Sequence, residues 1–240
     1  MTPQPSLESY TFHRPQLFNL LFDELGQTVL RIHNEQFQGT RLADTTEYKP
    51  DQPISFSNIR VLSYNRILHQ QTNGRIQVAS PKDVVRSWER DIPEINITYA
   101  DTDSIALFSP KGDNSDLAQR VFEILGKTET AVPLLVAGLK PVRAGNDHGF
   151  TFEATEHLTA TAAPYLKKDG RVRYDPATDS LVEAKNDEEG VHIWIPSNQS
   201  GLRGACRDGG FLCFRGDRLL DSNADGRVQV VERDPKGRAA

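Results

Sequence analysis

The apolar positions of this chain change period about half-way along. Residues 1–14 carry Pro3 and Pro5 among polar neighbours and read as an extended arm. From Pro15, residues Leu17, Leu20, Leu21 and Leu25 recur at helical spacing, with Gly26 as the stop and TVLRI continuing as a strand. Residues 39–57 read as loop. RILHQQTNGRIQVAS alternates apolar and polar positions around Asn73-Gly74, the pattern of a β-hairpin. Ser80-Pro81 then opens a helix with Val84, Val85 and Trp88 on one face. INITYA and SIALFS predict two strands joined by a polar turn at Asp101-Thr102-Asp103. Asn114 or Ser115 caps an amphipathic helix that Gly126 closes. Beyond about residue 130 the helical spacing ends. VPLLVAGLKPV, FTFEATEHLTATA, RVRYDPATDSLVEA and VHIWIPS are all strand-like, bounded by Gly, Asp or Pro. The expected fold class is α+β, with a mixed α/β region over 1–128 and a β-rich domain over 129–240. No internal repeat or low-complexity run is visible.

Composition narrows the partners more than the fold. The chain has 240 residues, 37% hydrophobic and 25% charged, enough for one large domain or two small ones. Lys and Arg number 28 against 33 Asp and Glu, a net charge of −5, which argues against a dedicated nucleic-acid binder. No stretch is apolar enough to span a bilayer, and the start lacks the layout of a secretory signal. The expectation is therefore a soluble protein without membrane insertion, with a virion or surface location left open. Two cysteines rule out a disulfide-framed small domain.

Three short strings have the residue types of known chemistry. Tyr99-Ala-Asp101-Thr-Asp103-Ser104 resembles the YxDTDS motif of family B DNA polymerases, where two carboxylates on a hairpin turn hold Mg²⁺ for phosphoryl transfer. The likeness covers about ten residues. With no third carboxylate close by in sequence, tight Mg²⁺ binding is not expected, and an acidic turn whose Asp side chains bond their own backbone is the reading preferred. Asp221, Asn223, Asp225, Gly226, Val228 and Glu232 match positions of the EF-hand calcium loop, but the following residues alternate as a strand where an exit helix is required. Arg215-Gly216-Asp217 is a string that integrin ligands share. The six histidines, at 13, 33, 69, 148, 157 and 192, lack metal-ligand spacing, and no nucleophile elbow or phosphate loop occurs. No cofactor, no metal and no catalysis are expected.

Residues 201–228 stand apart. They contain no Lys, Glu, Gln, Met or Trp, types that fill 35 of the first 200 positions, so about five would be expected. They also hold both cysteines and five arginines. Codons ending in a pyrimidine encode none of the five missing types. The frame GLR…L…L.DSN.DGRV.VV is similar to the variable region of proteins diversified by retroelements, in which adenine-directed copying errors produce such an alphabet. The resemblance implies a C-type lectin fold and recognition of a macromolecular ligand, a protein or cell surface, often on phages or viruses. It implies that Gly201, Leu202, Arg203, Leu212, Leu220, Gly226, Arg227 and Val228 are scaffold. It places Ala205, Cys206, Arg207, Asp208, Gly210, Phe211, Cys213, Phe214, Arg215, Asp217 and Arg218 among the ligand contacts. Arg and aromatic residues dominate interface hot spots, which points the same way.

The expected function is thus ligand or receptor recognition by a diversified C-terminal face. The alternatives are a Mg²⁺-dependent nucleotide-handling enzyme built on Asp101 and Asp103, and a structural assembly subunit such as one of a virion; an oligomer fits any of them. On the first reading Ala205, Arg207, Phe211, Phe214 and Asp217 are exposed while Leu202, Leu212 and Val228 are buried. If Gly209-Gly210 forms a two-residue loop, Asp208 faces Phe211, Arg207 faces Leu212 and Cys206 lies opposite Cys213; a loop at Asp208-Gly209 shifts that register. Free thiols are expected.

Overall fold

A computed structural model describes residues 10–13, 58–89, 99–168, 170–186, 189–196, 199–216 and 230–233. The expected helix at 15–25, the loop at 39–57 and most of the calcium-loop match, including Asp221, Asn223, Asp225, Gly226 and Val228, lie outside them. So do Asp217, Arg218, Leu220 and Arg227.

The described elements are β1 (Tyr10–His13), α1 (Asn58–Gln71), β2 (Ile76–Val78), α2 (Pro81–Glu89), β3 (Tyr99–Leu107), α3 (Ser115–Ile124), β4 (Leu134–Arg143), β5 (Phe150–Ala162), β6 (Arg171–Asp175), β7 (Ser180–Glu183), β8 (Val191–Trp194), β9 (Leu202–Asp208), β10 (Phe211–Arg215) and β11 (Val230–Arg233). The strands form a three-stranded sheet, β1-β11-β2, and an eight-stranded sheet, β5-β4-β3-β9-β10-β8-β6-β7. Glu232 of the calcium-loop match sits in strand β11, paired with Ile76 of β2.

Local signals hold where a side chain satisfies backbone groups by itself. At α2, Ser80 and Asp83 form a reciprocal capping box: the Ser80 N–H donates to Asp83 Oδ2 at 3.0 Å, and the Asp83 N–H donates to Ser80 Oγ at 3.2 Å. Val84 and Val85 are buried; the Trp88 side chain is outside the described set. At α3, the Lys127 N–H reaches the Phe122 carbonyl and the Gly126 N–H that of Glu123, a Schellman closure with Gly126 at φ +64°. Asn114 is the N-cap residue, but its amide reaches across to the Leu202 and Gly216 carbonyls.

The hairpin expected around Asn73-Gly74 is not formed. Its first arm is the last part of helix α1, because Val61, Leu62 and Leu68 fall on one buried helical face. Asn73 (φ +50°) and Gly74 (φ +73°) use their left-handed freedom to end that helix, with the Gly74 N–H on the His69 carbonyl at 2.7 Å. The Thr72 hydroxyl donates to the Leu68 carbonyl at 2.6 Å, and its oxygen accepts from the Ile76 N–H at 2.9 Å.

The polar turn expected at Asp101-Thr102-Asp103 is likewise not formed, and residues 95–98 of INITYA lie outside the described residues. β3 runs through Asp101-Thr102-Asp103 as one strand, held by β9 on one side and β4 on the other. Nor is residue 128 a division between two separate sheets, since β3 lies between β4 and β9 in a single one. The strands expected after residue 130 are all present.

Two cores flank the large sheet. On one face Ile105, Leu107, Leu134, Val136, Phe152 and Leu202 pack with Leu62 of α1 and with Leu117, Val121 and Phe122 of α3. On the other, Ala106, Phe108, Ala205, Leu212, Phe214, Val191 and Ile193 pack with Val85 of α2. β9 is central and buried on both faces, as a strand between two layers must be.

Candidate functional site

Two places concentrate polar groups: the hairpin β9–β10 and the middle of β3. The hairpin register is Asp208 on Phe211, Arg207 on Leu212, Cys206 on Cys213 and Phe214 on Ala205. Gly209-Gly210 is therefore the two-residue loop, with Gly209 at φ +56°. Leu202 and Leu212 are buried as expected, and so are Gly201 and Arg203. Arg203 is 1% exposed and reaches Asp113 Oδ2 at 3.1 Å, tying β9 to the turn before α3.

The exposed diversified face does not follow. Ala205, Cys206, Arg207, Cys213 and Phe214 are all buried, because both hairpin strands lie inside the large sheet with a core layer on each side. Burial draws the Arg207 guanidinium down to about 10. Asp208 and Arg215 are half-buried and ion-paired to each other. Among these residues only Phe211 (45%) and Gly210 are exposed. Phe211 stands beside His192 of β8, with ring centroids 5.8 Å apart. Trp194, 46% exposed, carries the Arg215 guanidinium 5.8 Å from its ring centroid. His192 and Trp194 belong to a site that composition alone did not indicate; the alternation of VHIW was their only signal.

Both cysteines are free and buried. The Cys206 thiol shares a hydrogen bond with Cys213, and that bond, burial and the Asp101 carboxylate all raise Cys206, while the same bond lowers Cys213. Intact mass without reductant is expected to equal the reduced mass. Replacing both by Ser keeps a hydroxyl pair in place of the thiol pair, so the cost is expected within about 1.5 kcal/mol in urea unfolding. A fold lost in the double variant, or a mass two units lower without reductant, would show a stapled hairpin.

The middle of β3 holds four consecutive buried polar residues: Asp101 (1%), Thr102 (2%), Asp103 (8%) and Ser104 (6%). Here the register breaks. Asp101 pairs with Cys206 and Ile105 with Gly204, so β3 takes four steps where β9 takes two. Such bulges re-aim side chains and recur beside active sites. The Thr102 hydroxyl donates to the Ala205 carbonyl at 2.8 Å and pins the bulge to β9. The Ser104 hydroxyl donates to Asp103 Oδ1 at 2.7 Å, and the Asp103 N–H reaches the Ala79 carbonyl at 3.2 Å. Cys206 and Gly204 face the same way, so Asp101 shares its face with Ile105, the α1 and α3 side. Asp103 lines a cleft on that side together with Asn65, Arg66 and His69 of α1.

Two buried carboxylates two residues apart are an oxygen-only donor pair, which suits Mg²⁺ or Mn²⁺. Among the described residues no cluster of three His, Cys, Asp or Glu side chains forms a metal cage. A fit is still available, since Mg²⁺ is commonly held by one or two carboxylates, with waters and substrate phosphates completing the shell. The chain matches no family profile, no curated protein and no solved structure. No helix among the described residues is long and apolar enough to cross a membrane.

Proposed function

We propose that Asp101 and Asp103 form a divalent-cation site for chemistry on a phosphate-bearing, nucleotide-class substrate. The observation that carries this reading is the burial of both carboxylates on one side of β3 at a break in its register. Two carboxylates two residues apart offer the hard oxygen ligands that a divalent cation such as Mg²⁺ takes. A bound divalent cation neutralises phosphate oxygens as charge develops. The protein's part is to hold the donors still: Ser104 fixes the Asp103 carboxylate, and Thr102 fixes the strand between the two acids. The resemblance of Tyr99–Ser104 to the polymerase motif supports the same chemistry.

Terbium luminescence and Mn²⁺ calorimetry on the full chain test it. Wild type is expected to bind one or two ions, and Asp101→Asn or Asp103→Asn to weaken binding at least tenfold, about 1.4 kcal/mol. Equal titrations for wild type and both variants would refute the site.

Recognition of a macromolecular ligand is the second reading, and one observation favours it: Phe211 and Trp194 project from neighbouring strands into solvent. Large exposed aromatics of this kind anchor interfaces. The gene-level finding this reading requires is a near-copy of codons 201–228, differing at adenines, beside a reverse transcriptase.

A further inference from the structure

Cys206 and Cys213 are the middle of a row that crosses four strands on one face of the large sheet. Asp101 of β3 pairs with Cys206 of β9, Cys206 with Cys213 of β10, and Cys213 with Trp194 of β8. Paired positions on neighbouring strands point to the same side of a sheet, so each of these residues stands beside the next. The two thiols differ in their surroundings. Cys206 is 0% exposed and has Asp101 on its β3 side. Cys213 is 3% exposed and has the exposed Trp194 on its β8 side. Two residues along the same strand, the Arg215 guanidinium hydrogen-bonds the Cys213 sulfur. The hydrogen bond with Cys206 lowers the Cys213 thiol, and Arg215 lowers it too, against burial and the Asp208 carboxylate.

We propose that Cys213 and Cys206 form a peroxide-reactive dithiol site, with Cys213 as the nucleophile and Cys206 as the resolving thiol. The site stands apart from the cation reading and does not depend on it. In the first step the Cys213 thiolate attacks one oxygen of hydrogen peroxide. The O–O bond breaks as the S–O bond forms, and the leaving hydroxide takes up the proton that the thiol gave up, as water. The sulfur is then a sulfenic acid. In the second step the Cys206 sulfur attacks the Cys213 sulfur, and its proton leaves with the displaced hydroxyl as a second water. One peroxide is reduced and two thiols become one disulfide. Reach favours this oxidant, because a residue 3% exposed admits a molecule little larger than water more readily than a bulky disulfide. Directly opposite positions hold their Cβ atoms about 4.5–5.5 Å apart, against ~3.5–4.5 Å across a disulfide. The bond therefore forms by a small approach of β9 and β10, and a dithiol reductant is expected to open it again.

The test is intact mass and thiol titration of the full, folded chain after hydrogen peroxide and again after dithiothreitol. Wild type is expected to lose two hydrogens by mass and both titratable thiols, and to regain them with the reductant. Cys206→Ser is expected to stop at the sulfenic acid, trapped as a single dimedone adduct at Cys213. Cys213→Ser is expected to react about tenfold more slowly, since it leaves only the deeper thiol. Arg215→Gln, at a side chain 28% exposed, is expected to slow the first step several-fold with the disulfide still formed. A wild type whose mass is unchanged by peroxide that oxidises free cysteine overturns the inference. So does oxidation that occurs only after unfolding in urea, which would show a thiol pair packed out of reach. A dimedone adduct at Cys206 in Cys213→Ser, formed as fast as that at Cys213 in Cys206→Ser, overturns the assigned roles. The wild-type result needs no substitution, so it decides the matter whether or not a variant folds.

Discussion

Phe214→Ala is expected to destabilise the protein by about 3–5 kcal/mol, measured by urea unfolding, the usual cost of emptying a buried Phe site. Phe214 is wholly buried in the core that joins β8, β9 and β10 to α2. Its neighbours on that face, Ala205, Leu212 and Ile193, are strand residues that cannot close the gap without moving the sheet. Phe211→Ala is the internal control. That ring is three residues away on the same strand but 45% exposed, so its loss is expected to cost less than about 1 kcal/mol. The two results together decide whether β10 tolerates diversification at 214. A cost below about 1 kcal/mol for Phe214→Ala would place this residue on a surface and restore the exposed-face reading.

Gly138→Ala is expected to cost about 3 kcal/mol or more, read in the same assay. Two independent penalties add. Gly138 has φ +78°, a region that costs an L-residue about 1–2 kcal/mol. A methyl group there would also stand 2.3 Å from the His157 carbonyl oxygen and 2.6 Å from the Leu158 nitrogen, both backbone atoms of β5. Relief requires the arch that β5 makes over Gly138 at His157 and Leu158 to lift from β4. The Thr155 hydroxyl, which donates to the Gly138 carbonyl at 2.7 Å, would lose that bond as well. A variant as stable as wild type would mean that the arch is not held against β4.

What the chain spells out locally was legible. The capping box at Ser80 and the Schellman glycine at 126 satisfy helix ends with their own neighbours and need no tertiary partner. Of the two β9–β10 registers the sequence allowed, the one with Gly209-Gly210 as the loop is formed, and Cys206 faces Cys213. Asn73-Gly74 shows the limit of such signals. The same left-handed pair serves a hairpin loop or a helix end, and the buried face of α1 chose between them.

The candidate site was half legible. Asp101 and Asp103 stood out as a pair, but the string predicts a turn, and the structure makes it the bulged middle of a strand. That outcome depends on β4 and β9, which lie some 30 and 100 residues further along and pair with both edges of β3. Asn65, Arg66 and His69 had no spacing to announce them, since the packing of α1 against the sheet brings them to the cleft that Asp103 lines.

The sequence by itself determined the type of most described elements, the start of α2 and the close of α3, all of them set by contacts within a few residues. Only the tertiary structure decided which polar residues are buried. An Arg- and Gly-rich segment looks like surface when its own composition is all there is to read. Once β3 and β10 take both its edges and helices cover the two faces of the sheet, β9 becomes the middle of the molecule, and its side chains are buried whatever their polarity.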